Sequence, residues 1–467
     1  MLTTSLLAAT LSAPPNVLLV FIDDMGWGDF SSFGNERVQT EHVDRLAAEG
    51  IRFERFYVNS PICSPSRVAI STGQYPQRHR ITSFLNDRRG NEHRGMAQWL
   101  DPSAPMLARF LHKAGYATGH FGKWHMGGQR DVGEAPFITE YGFEESLTNF
   151  EGLGPRVIGI GDRYDGSPVK RISHRSNELG RGPVIYVDRK DVTGAYKNAA
   201  ADFILKAAAD GRPFYVNVWP DDVHSPFYPP KARRGPAKRD LYDGVLDAMD
   251  ESLGELFDLI REDDRLRGNT LILVCSDNGP EQGAGSAGHL RGFKTHLYEG
   301  GVRSPLVAWG PGSIDSKAVG TVNRESVFSA IDLVPSVLSI AGVVAAADFD
   351  GEPLPDVLLG RSTESRAAPI FFRRPPDRDA FYGVDDLPDL AVLDCGLLPG
   401  DWKLLCEYDG SDAELYDLAA NPSEAANVAA ENPDVVETLT RAVTQWHAAM
   451  PPDNGPELTG RYRPPRP

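Results

Sequence analysis

Two pairs of oxygen-bearing side chains lie far apart in the sequence, and each pair directly follows an apolar, β-branched run. The first pair is Asp23 and Asp24, and the second is Asp277 and Asn278. Such runs are typical of central parallel strands, whose carboxyl ends meet at one edge of a sheet. The two pairs can therefore form one site. Carboxylate and amide oxygens, with no thiol or imidazole among them, favour a hard cation such as calcium or magnesium.

A second reactive group is Cys63, the first residue of the pentapeptide Cys63-Ser64-Pro65-Ser66-Arg67. Pro65 suits the first turn of a helix, which we expect to run to about residue 71. Cys63 then lies near a helix N-terminus, where free N–H groups favour an anion. A buried structural cysteine is the alternative interpretation.

Lys123 and His125 flank Trp124. In an extended segment both side chains point to the same face. A lysine can hold an anionic oxygen as a point charge, and a histidine can act as a base near neutral pH. The pair therefore fits a site for an anionic substrate.

Together with these residues, several further segments follow one another in the order found in type I, formylglycine-dependent sulfatases. The chain resembles this family of the alkaline-phosphatase-like superfamily from about residue 15 to about residue 430. In the family, a maturation enzyme oxidises the cysteine of Cys-x-Pro-x-Arg to formylglycine. One hydroxyl of its hydrated aldehyde attacks sulfur, and the other later expels sulfate. The segments that carry the resemblance are residues 16–28, 63–67, 119–125, 223–226, 271–279, 289–294 and 298–305.

The resemblance implies a nucleophile and its metal. Cys63, as formylglycine, is expected to complete the shell of one calcium ion. The implied protein ligands of that ion are Asp23, Asp24, Asp277 and Asn278. Three clustered carboxylates repel one another, which also favours a bound cation.

The resemblance also implies the remaining catalytic roles. Arg67 is expected to contact the aldehyde hydrate, Lys123 to hold a sulfate oxygen, and His125 to take the proton from the second hydroxyl. His224 and Lys294 are expected to contact sulfate and to help protonate the departing alcohol. Two positions depart from the family pattern. Val223 stands where proline is common, and Gln74 stands where arginine is usual.

The formal net charge of −17 argues against a nucleic-acid partner, and no apolar run is long enough to span a membrane. An acidic protein that binds sulfate esters needs local positive charge. A basic segment at residues 78–94 is therefore predicted to bind substrate, although it could also be a solvated charged face. Its cationic residues are Arg78, His79, Arg80, Arg88, Arg89, His93 and Arg94.

Apolar strand-like runs alternate with helical patterns, which predicts an α/β fold with a large mixed, mostly parallel sheet and helices on both faces. We assign residues 14–360 to this catalytic domain. Residues 361–467 are assigned to a smaller C-terminal α+β domain with an antiparallel sheet and a terminal helix. The segment 152–189 is interpreted as a long functional loop or insertion. Strands are predicted at 17–22, 214–219, 270–276, 305–309, 390–393 and 402–406, and helices at 41–49, 104–114, 197–209, 242–260 and 432–450.

Four cysteines are too few for a disulfide scaffold. Cys275 is expected to be a buried thiol, and Cys395 and Cys406 could close a hairpin by a disulfide. Residues 1–13 resemble the remnant of a signal peptide, and no glycosylation sequon is present. We expect export to a bacterial periplasm or secretion.

The sequence thus predicts hydrolysis of a sulfate ester on a sulfated carbohydrate, with release of inorganic sulfate. A formylglycine-dependent phosphonate or phosphodiester hydrolase remains an alternative, as does a non-catalytic glycan-binding relative. The sulfated sugar, exo or endo action, and the oligomeric state stay open.

Overall fold

A computed structural model describes residues 14–161, 170–171, 179, 181–375 and 387–454. The predicted signal-peptide remnant at 1–13 lies outside the described residues, as do parts of the segment 152–189 and of the C-terminal tail. Among the described residues, no helix combines the length and the apolar character needed to cross a bilayer.

The described strands form three sheets. They are β1 (Asn16–Ile22), β2 (Ile51–Tyr57), β3 (Ala117–Gly122), β4 (Glu145–Leu147), β5 (Arg156–Gly161), β6 (Lys170–Arg171), β7 (Val184–Asp188), β8 (Phe214–Trp219), β9 (Thr270–Ser276), β10 (Arg303–Trp309), β11 (Thr321–Asn323), β12 (Phe328–Ser329), β13 (Ile370–Arg373), β14 (Leu390–Leu393), β15 (Trp402–Cys406) and β16 (Glu414–Asp417).

The helices cover both faces of the largest sheet and one side of the C-terminal sheet. They are α1 (Glu41–Glu49), α2 (Cys63–Thr72), α3 (Arg88–His93), α4 (Leu107–Lys113), α5 (Val192–Ala209), α6 (Lys238–Glu262), α7 (Asp264–Arg267), α8 (Glu299–Val302), α9 (Ala330–Ile340), α10 (Pro355–Leu358) and α11 (Pro433–Ala449).

The largest sheet has nine strands in the order β11-β2-β10-β9-β1-β8-β3-β4, with β12 also paired to β2. Strands β9, β1, β8, β3 and β4 are parallel neighbours, whereas β10 runs antiparallel to both β9 and β2. The predicted mixed, mostly parallel sheet is confirmed.

Strand β1 shows why helices cover both faces of this sheet. Val17, Leu19 and Phe21 belong to one apolar core, and the alternate residues Leu18 and Val20 belong to a second core. Side chains of a strand point alternately to opposite faces, so an apolar residue at every position requires a core on each side. Helices α2, α4 and α9 contribute to the first core, and α1, α5 and α6 contribute to the second.

Several predicted boundaries agree with the structure and others do not. The bounds of α1, β8, β9, β14 and β15 are as predicted. Helix α4 starts later than predicted because Pro105 disfavours helical backbone at the residue before it. Helix α5 starts earlier, where buried Val192 and Tyr196 outweigh the weak helix propensity of the first turn.

The segment 152–189 is not only a loop, because β5 and β7 pair in parallel within it and β6 pairs antiparallel with β5. The Gly- and Arg-rich composition concealed these short strands, which lack a clear apolar alternation. The interpretation of this segment as a loop was therefore wrong for the part that is described.

The C-terminal sheet is antiparallel, in the order β13-β14-β15-β16, and α11 packs against it. Leu390 of β14 is opposite Cys406 of β15, whereas Cys395 lies beyond the other end of β14. This register keeps the two cysteines at opposite ends of the hairpin, and both are free thiols. The disulfide considered from the sequence is not formed.

Lys403 of β15 connects the C-terminal sheet to the large sheet through buried charges. Its Nζ lies 2.9 Å from a carboxylate oxygen of Glu299 and 2.9 Å from one of Glu424. Tyr57 at the end of β2 donates a hydrogen bond to Glu299 at 2.7 Å. The side chains of Lys403, Glu299 and Glu424 have no solvent exposure.

We expect Lys403→Met to destabilise the protein strongly, because it leaves two carboxylates buried without their shared cation. Removing one partner of a buried ion pair costs about 3–5 kcal/mol. A lowered midpoint of thermal unfolding measures the effect. Lys206→Met is the matched control, because Lys206 pairs with Glu145 at an exposed position.

A second variant tests whether the lost stability comes from an unpaired buried carboxylate. Adding Glu424→Gln to Lys403→Met should recover part of the loss, because Glu299 keeps its ion pair with Arg303 and Glu424 is the carboxylate that loses its cation. An unfolding midpoint for Lys403→Met equal to that of Lys206→Met would contradict the structural role of this cluster.

Candidate active site

The predicted site residues converge at the carboxyl ends of neighbouring parallel strands. Asp23 and Asp24 follow β1, and Asp277 and Asn278 follow the adjacent β9. Lys123 follows β3, on the other side of β8. His224 lies in the loop after β8, Cys63 begins α2, and Lys294 lies between β9 and α8.

The two acidic pairs meet as the sequence predicts. Oxygens of Asp23, Asp24 and Asp277 lie within 4.8 Å of one another, and all three side chains are buried. The backbone N–H of Asp24 donates to Asp277 Oδ1 at 3.1 Å, and Asn278 Nδ2 donates to Asp24 Oδ1 at 2.8 Å. Asn278 Oδ1 is buried and has no hydrogen-bond partner among the residues described. A buried oxygen without a partner beside three carboxylates fits a hard cation.

Each carboxylate of this cluster already has a cationic neighbour. Arg67 donates to Asp277 Oδ2 at 2.7 Å. Lys123 Nζ lies 2.6 Å from Asp23 Oδ2, and Lys294 Nζ lies 2.5 Å from Asp24 Oδ2. The repulsion argument made from the sequence is therefore insufficient, because three cations of the chain itself neutralise the three acids. The case for a metal ion depends on the oxygen donors instead.

The ionisation of these acids reflects both burial and neighbouring charge. Burial opposes the charged form of Asp23, but Lys123 above all, with His224 and Arg67, holds the pKa of its carboxyl well below the usual value. At Asp277, burial and the charge of Asp23 together raise the pKa well above the usual value. The two carboxyl groups of the cluster therefore differ in how readily they lose a proton.

Cys63 lies at the start of a fully buried helix, as predicted. It is the first residue of α2, which runs to Thr72, and only 2% of its surface is exposed. Arg67, one turn later, also donates to the carbonyl of Lys123 at 2.8 Å and lies over the rings of Phe21 and Trp219. Arg67 thus joins the start of α2 to the acidic cluster.

His125 does not follow the extended geometry expected from its spacing to Lys123. Its φ of 53° is in the left-handed region, which breaks the alternation of side chains along a strand. Asp24 and Thr295, with φ of 59° and 79°, share this unusual conformation. Strained backbone at three positions in or beside the site residues is characteristic of a functional centre.

The His125 ring is buried between two oxygens. Its Nε2 lies 2.9 Å from the carbonyl oxygen of Leu85 and 3.4 Å from Glu151 Oε2. Burial, partly opposed by Glu151, lowers the pKa of His125 to about 3. The ring is therefore neutral at physiological pH and can accept a proton.

His224 and Lys294 lie on the side of Asp24. His224 Nε2 is 3.6 Å from Asp24 Oδ2, and its Nδ1 is 2.7 Å from the carbonyl oxygen of Ser225. The side chain of His224 is 35% exposed, whereas that of Lys294 is 10% exposed. His224 therefore marks the side of the cluster that is open to solvent.

Much of the predicted basic segment is engaged with its own surroundings. Arg94 is buried and donates to the carbonyls of Gly90 and Phe84 at 2.9 and 2.8 Å. Arg78 forms an ion pair with Asp350, which lies far along the chain. These contacts stabilise the loop around α3. Arg94 is too deeply buried to bind substrate as the sequence predicts.

The other basic residues differ in accessibility. His79 is partly buried and contacts Gln74, and burial lowers its pKa to about 4. Arg88 pairs with Glu134, and Arg80 is exposed and donates to the carbonyl of Gly95. The carbonyl of His93 accepts from Asn454 of the C-terminal tail. Substrate binding by the exposed members of the segment remains a prediction.

Glu151 was missed by the sequence analysis. Its surroundings match no catalytic motif, and its backbone oxygen contacts the N–H of His125 across a large loop. Only the folded chain brings its carboxylate to the histidine, so no spacing rule could have identified it.

Comparisons with known proteins agree on one family. The sulfatase family matches residues 15–343, and the family described as N-sulphoglucosamine sulphohydrolase, C-terminal, matches residues 289–449. N-acetylgalactosamine-6-sulfatase of Sus scrofa is 34% identical over 77% of this chain and 69% of its own. Arylsulfatase A of Homo sapiens is 30% identical over 93% of this chain and 88% of its own.

A solved structure shows that the fold is shared. Ps i-CgsB, solved in complex with k-i-k-neocarrahexaose, superposes with a TM-score of 0.74 at 23% identity and covers 93% of this chain and 92% of its own. With the family match over most of the chain and the convergence of the site residues, the conclusion is that this protein belongs to the sulfatase family and is a sulfuric ester hydrolase.

Proposed function

We propose that the enzyme hydrolyses a sulfate ester of a carbohydrate and that formylglycine made from Cys63 is its nucleophile. The observation that carries the proposal is the position of Cys63. It begins a buried helix whose Arg67 donates to Asp277 of the acidic cluster. A hydrated formylglycine supplies a hydroxyl that can attack sulfur. At this position that hydroxyl lies near the free N–H groups of a helix N-terminus, which favour negative charge.

We propose that the acidic cluster binds one calcium ion. Asp23, Asp24, Asp277 and Asn278 would hold it, together with the formylglycine. The ion would supply positive charge for the sulfate group and for the attacking oxygen. The oxygen-only donor set and the unpaired Asn278 Oδ1 support this assignment.

The lysines of the site gain a second role in this scheme. Lys123 and Lys294 contact carboxylates of the cluster in the structure. A cation that shares those carboxylates leaves the two ammonium groups free to bind sulfate oxygens. His224, at the solvent-facing side, is placed to give a proton to the departing alcohol.

The substrate class is supported by the relatives. One of them is named for sulfate removal from N-acetylgalactosamine, and its identity to this chain is 34%. We propose a sulfated carbohydrate for this enzyme on that basis. We further propose a formylglycine-generating enzyme as its maturation partner and export to the periplasm or beyond as its location. Fractionation of the producing cells would test the location.

The calcium assignment predicts a loss of binding in Asp277→Ala and a weaker site in Asn278→Ala. Asn278→Ala removes a neutral ligand and leaves the pairing of Arg67 intact, so it separates ligand loss from charge imbalance. Calorimetric titration with calcium, and the rise in unfolding temperature that calcium causes, measure the effect.

The matched control is Asp258→Ala, because Asp258 is an acid of α6 outside the cluster. It should bind calcium as the wild type does. If Asn278→Ala and Asp277→Ala both retained wild-type affinity, the ion would have to bind elsewhere.

The nucleophile assignment predicts that the peptide containing Cys63 is about 18 Da lighter after co-expression with a formylglycine-generating enzyme. Cys63→Ala should abolish release of inorganic sulfate while the fold and calcium binding remain. Cys395→Ser is the control, because Cys395 is a free thiol of the C-terminal domain outside the candidate active site.

The substrates tested should be an aryl sulfate, sulfated mono- and oligosaccharides, and a phosphonate monoester. Faster turnover of the phosphonate than of any sulfate would favour the alternative hydrolase. Sugar binding by the matured protein without any turnover would favour the non-catalytic alternative. Sulfate release by Cys63→Ala at the wild-type rate would overturn the nucleophile.

The accessible part of the basic segment gives a further prediction. Arg80→Ala combined with Arg88→Ala should raise KM for a sulfated oligosaccharide about fivefold, since exposed ion pairs contribute up to about 1 kcal/mol. Turnover of a small aryl sulfate should hardly change. Arg265→Ala, at an exposed position of α7, is the control. Equal effects on both substrates would mean that the segment supports the fold instead.

A further inference from the structure

We infer that Glu151 is a positioning residue for His125. Its carboxylate and the carbonyl of Leu85 keep the ring hydrogen on Nε2, so that Nδ1 is the nitrogen that accepts the proton. The same carboxylate stabilises the imidazolium that forms. The inference extends the proposed function, on which it rests, by assigning a partner and a tautomer to the base.

The tautomer follows from the contacts of the ring. Nε2 faces two oxygens, that of Leu85 at 2.9 Å and Glu151 Oε2 at 3.4 Å. A carbonyl and a carboxylate can only accept, so Nε2 must carry the hydrogen. Nδ1 is buried and has no hydrogen-bond partner among the described residues. The lone pair of the neutral ring is therefore at Nδ1.

Glu151 is held in place by its backbone and by its neighbours. Its carbonyl oxygen accepts from the N–H of His125 at 3.0 Å. Its own N–H donates to Asn149 Oδ1 at 2.8 Å, and Asn149 Nδ2 donates to Asp221 Oδ2 at 3.0 Å. Asp221 lies just after β8, so this chain of contacts connects Glu151 to the large sheet.

Charge explains why a buried histidine needs this partner. His125 and Glu151 are 3% and 4% exposed, so neither charge is screened by bulk water. Burial disfavours the imidazolium most, and the cations Lys123 and Arg67 disfavour it further. Glu151 is the anion in contact with the ring. Its Oε2 has no hydrogen-bond partner among the described residues, and it lies within ion-pair distance of His125 Nε2, so its charge acts on the ring through space.

The proton transfer balances with these assignments. The proton comes from the hydroxyl of the hydrate that does not carry sulfate, and it goes to Nδ1. The electron pair of the broken O–H bond becomes the second bond of the regenerated carbonyl. Sulfate leaves with the pair of the broken carbon–oxygen bond. Water then hydrates the aldehyde again, and Nδ1 returns its proton to solvent.

The first test compares Glu151→Gln with Glu145→Gln. The glutamine side chain of the first variant keeps the size and an accepting oxygen but loses the charge. We expect kcat on an aryl sulfate to fall about tenfold to a hundredfold, because a positioning residue contributes only part of the hundredfold or larger effect of a general base, with KM within about twofold of the wild-type value. Glu145→Gln removes an exposed carboxylate nearby and should leave both constants unchanged.

The second test needs no maturation and no turnover. Selective ¹⁵N labelling of histidine in the unmatured protein reports which ring nitrogen carries hydrogen, and His125→Gln identifies the signal. We expect hydrogen on Nε2, donated to the carbonyl of Leu85, and we expect its proton resonance to move upfield in Glu151→Gln as the negative charge beside this hydrogen bond is lost.

Each outcome bears on one of the two proposals. Hydrogen on Nδ1, or an unmoved Nε2–H resonance in Glu151→Gln, would overturn the positioning role. A wild-type kcat in Glu151→Gln would overturn the positioning role as well. If KM rose while kcat stayed at the wild-type value, Glu151 would instead contact the substrate. A matured wild-type enzyme that hydrolyses no sulfate ester would overturn the proposed function, while the tautomer remains measurable.

Discussion

Charge neutrality among buried side chains is the constraint on which the site depends. Asp23, Asp24 and Asp277 are buried together, and each is matched by one cation from a different part of the chain. The cluster is thus balanced without any ligand. A divalent cation added to it creates an excess of positive charge that an anionic sulfate group can offset. This local field, rather than the overall charge of −17, is what an anionic ester encounters at the site.

The fold supplies the positions that this neutrality requires. Asp23 and Asp277 lie at the same edge of the sheet because they follow neighbouring parallel strands. The loop that carries Lys294 is stabilised by the C-terminal domain. In that loop, Thr295 donates to the carbonyl of Pro61, just before Cys63, and Glu299 is locked by Lys403. The C-terminal domain therefore supports the candidate active site. Its buried Lys403 stabilises the end of the loop from which Lys294 reaches Asp24.

The sequence predicted what local pattern determines and missed what only the folded chain brings together. Strands β8 and β9 were predicted with their correct bounds because continuous apolar runs end abruptly in polar residues. The acidic cluster was predicted because Asp23 and Asp277 each follow such an apolar run. The left-handed backbone of His125 could not be predicted, because no glycine or proline marks it. The buried state of Arg94 was equally hidden, since an arginine in a polar segment ordinarily faces solvent.

The carboxylates of the acidic cluster and the carboxylate beside His125 have different neighbours. At the acidic cluster, cations hold Asp23 ionised, and its charge is available to a metal. At His125, no lysine or arginine of the described residues lies within ion-pair distance of Glu151, so in the proposed reaction its charge is available to the proton that His125 receives. A buried ring surrounded by Lys123 and Arg67 alone would resist protonation, so a base at this position requires an anion that the cations of the acidic cluster do not neutralise. Glu151 lies within ion-pair distance of His125 Nε2, and this is why we include a residue outside every recognised motif in the proposed catalytic arrangement.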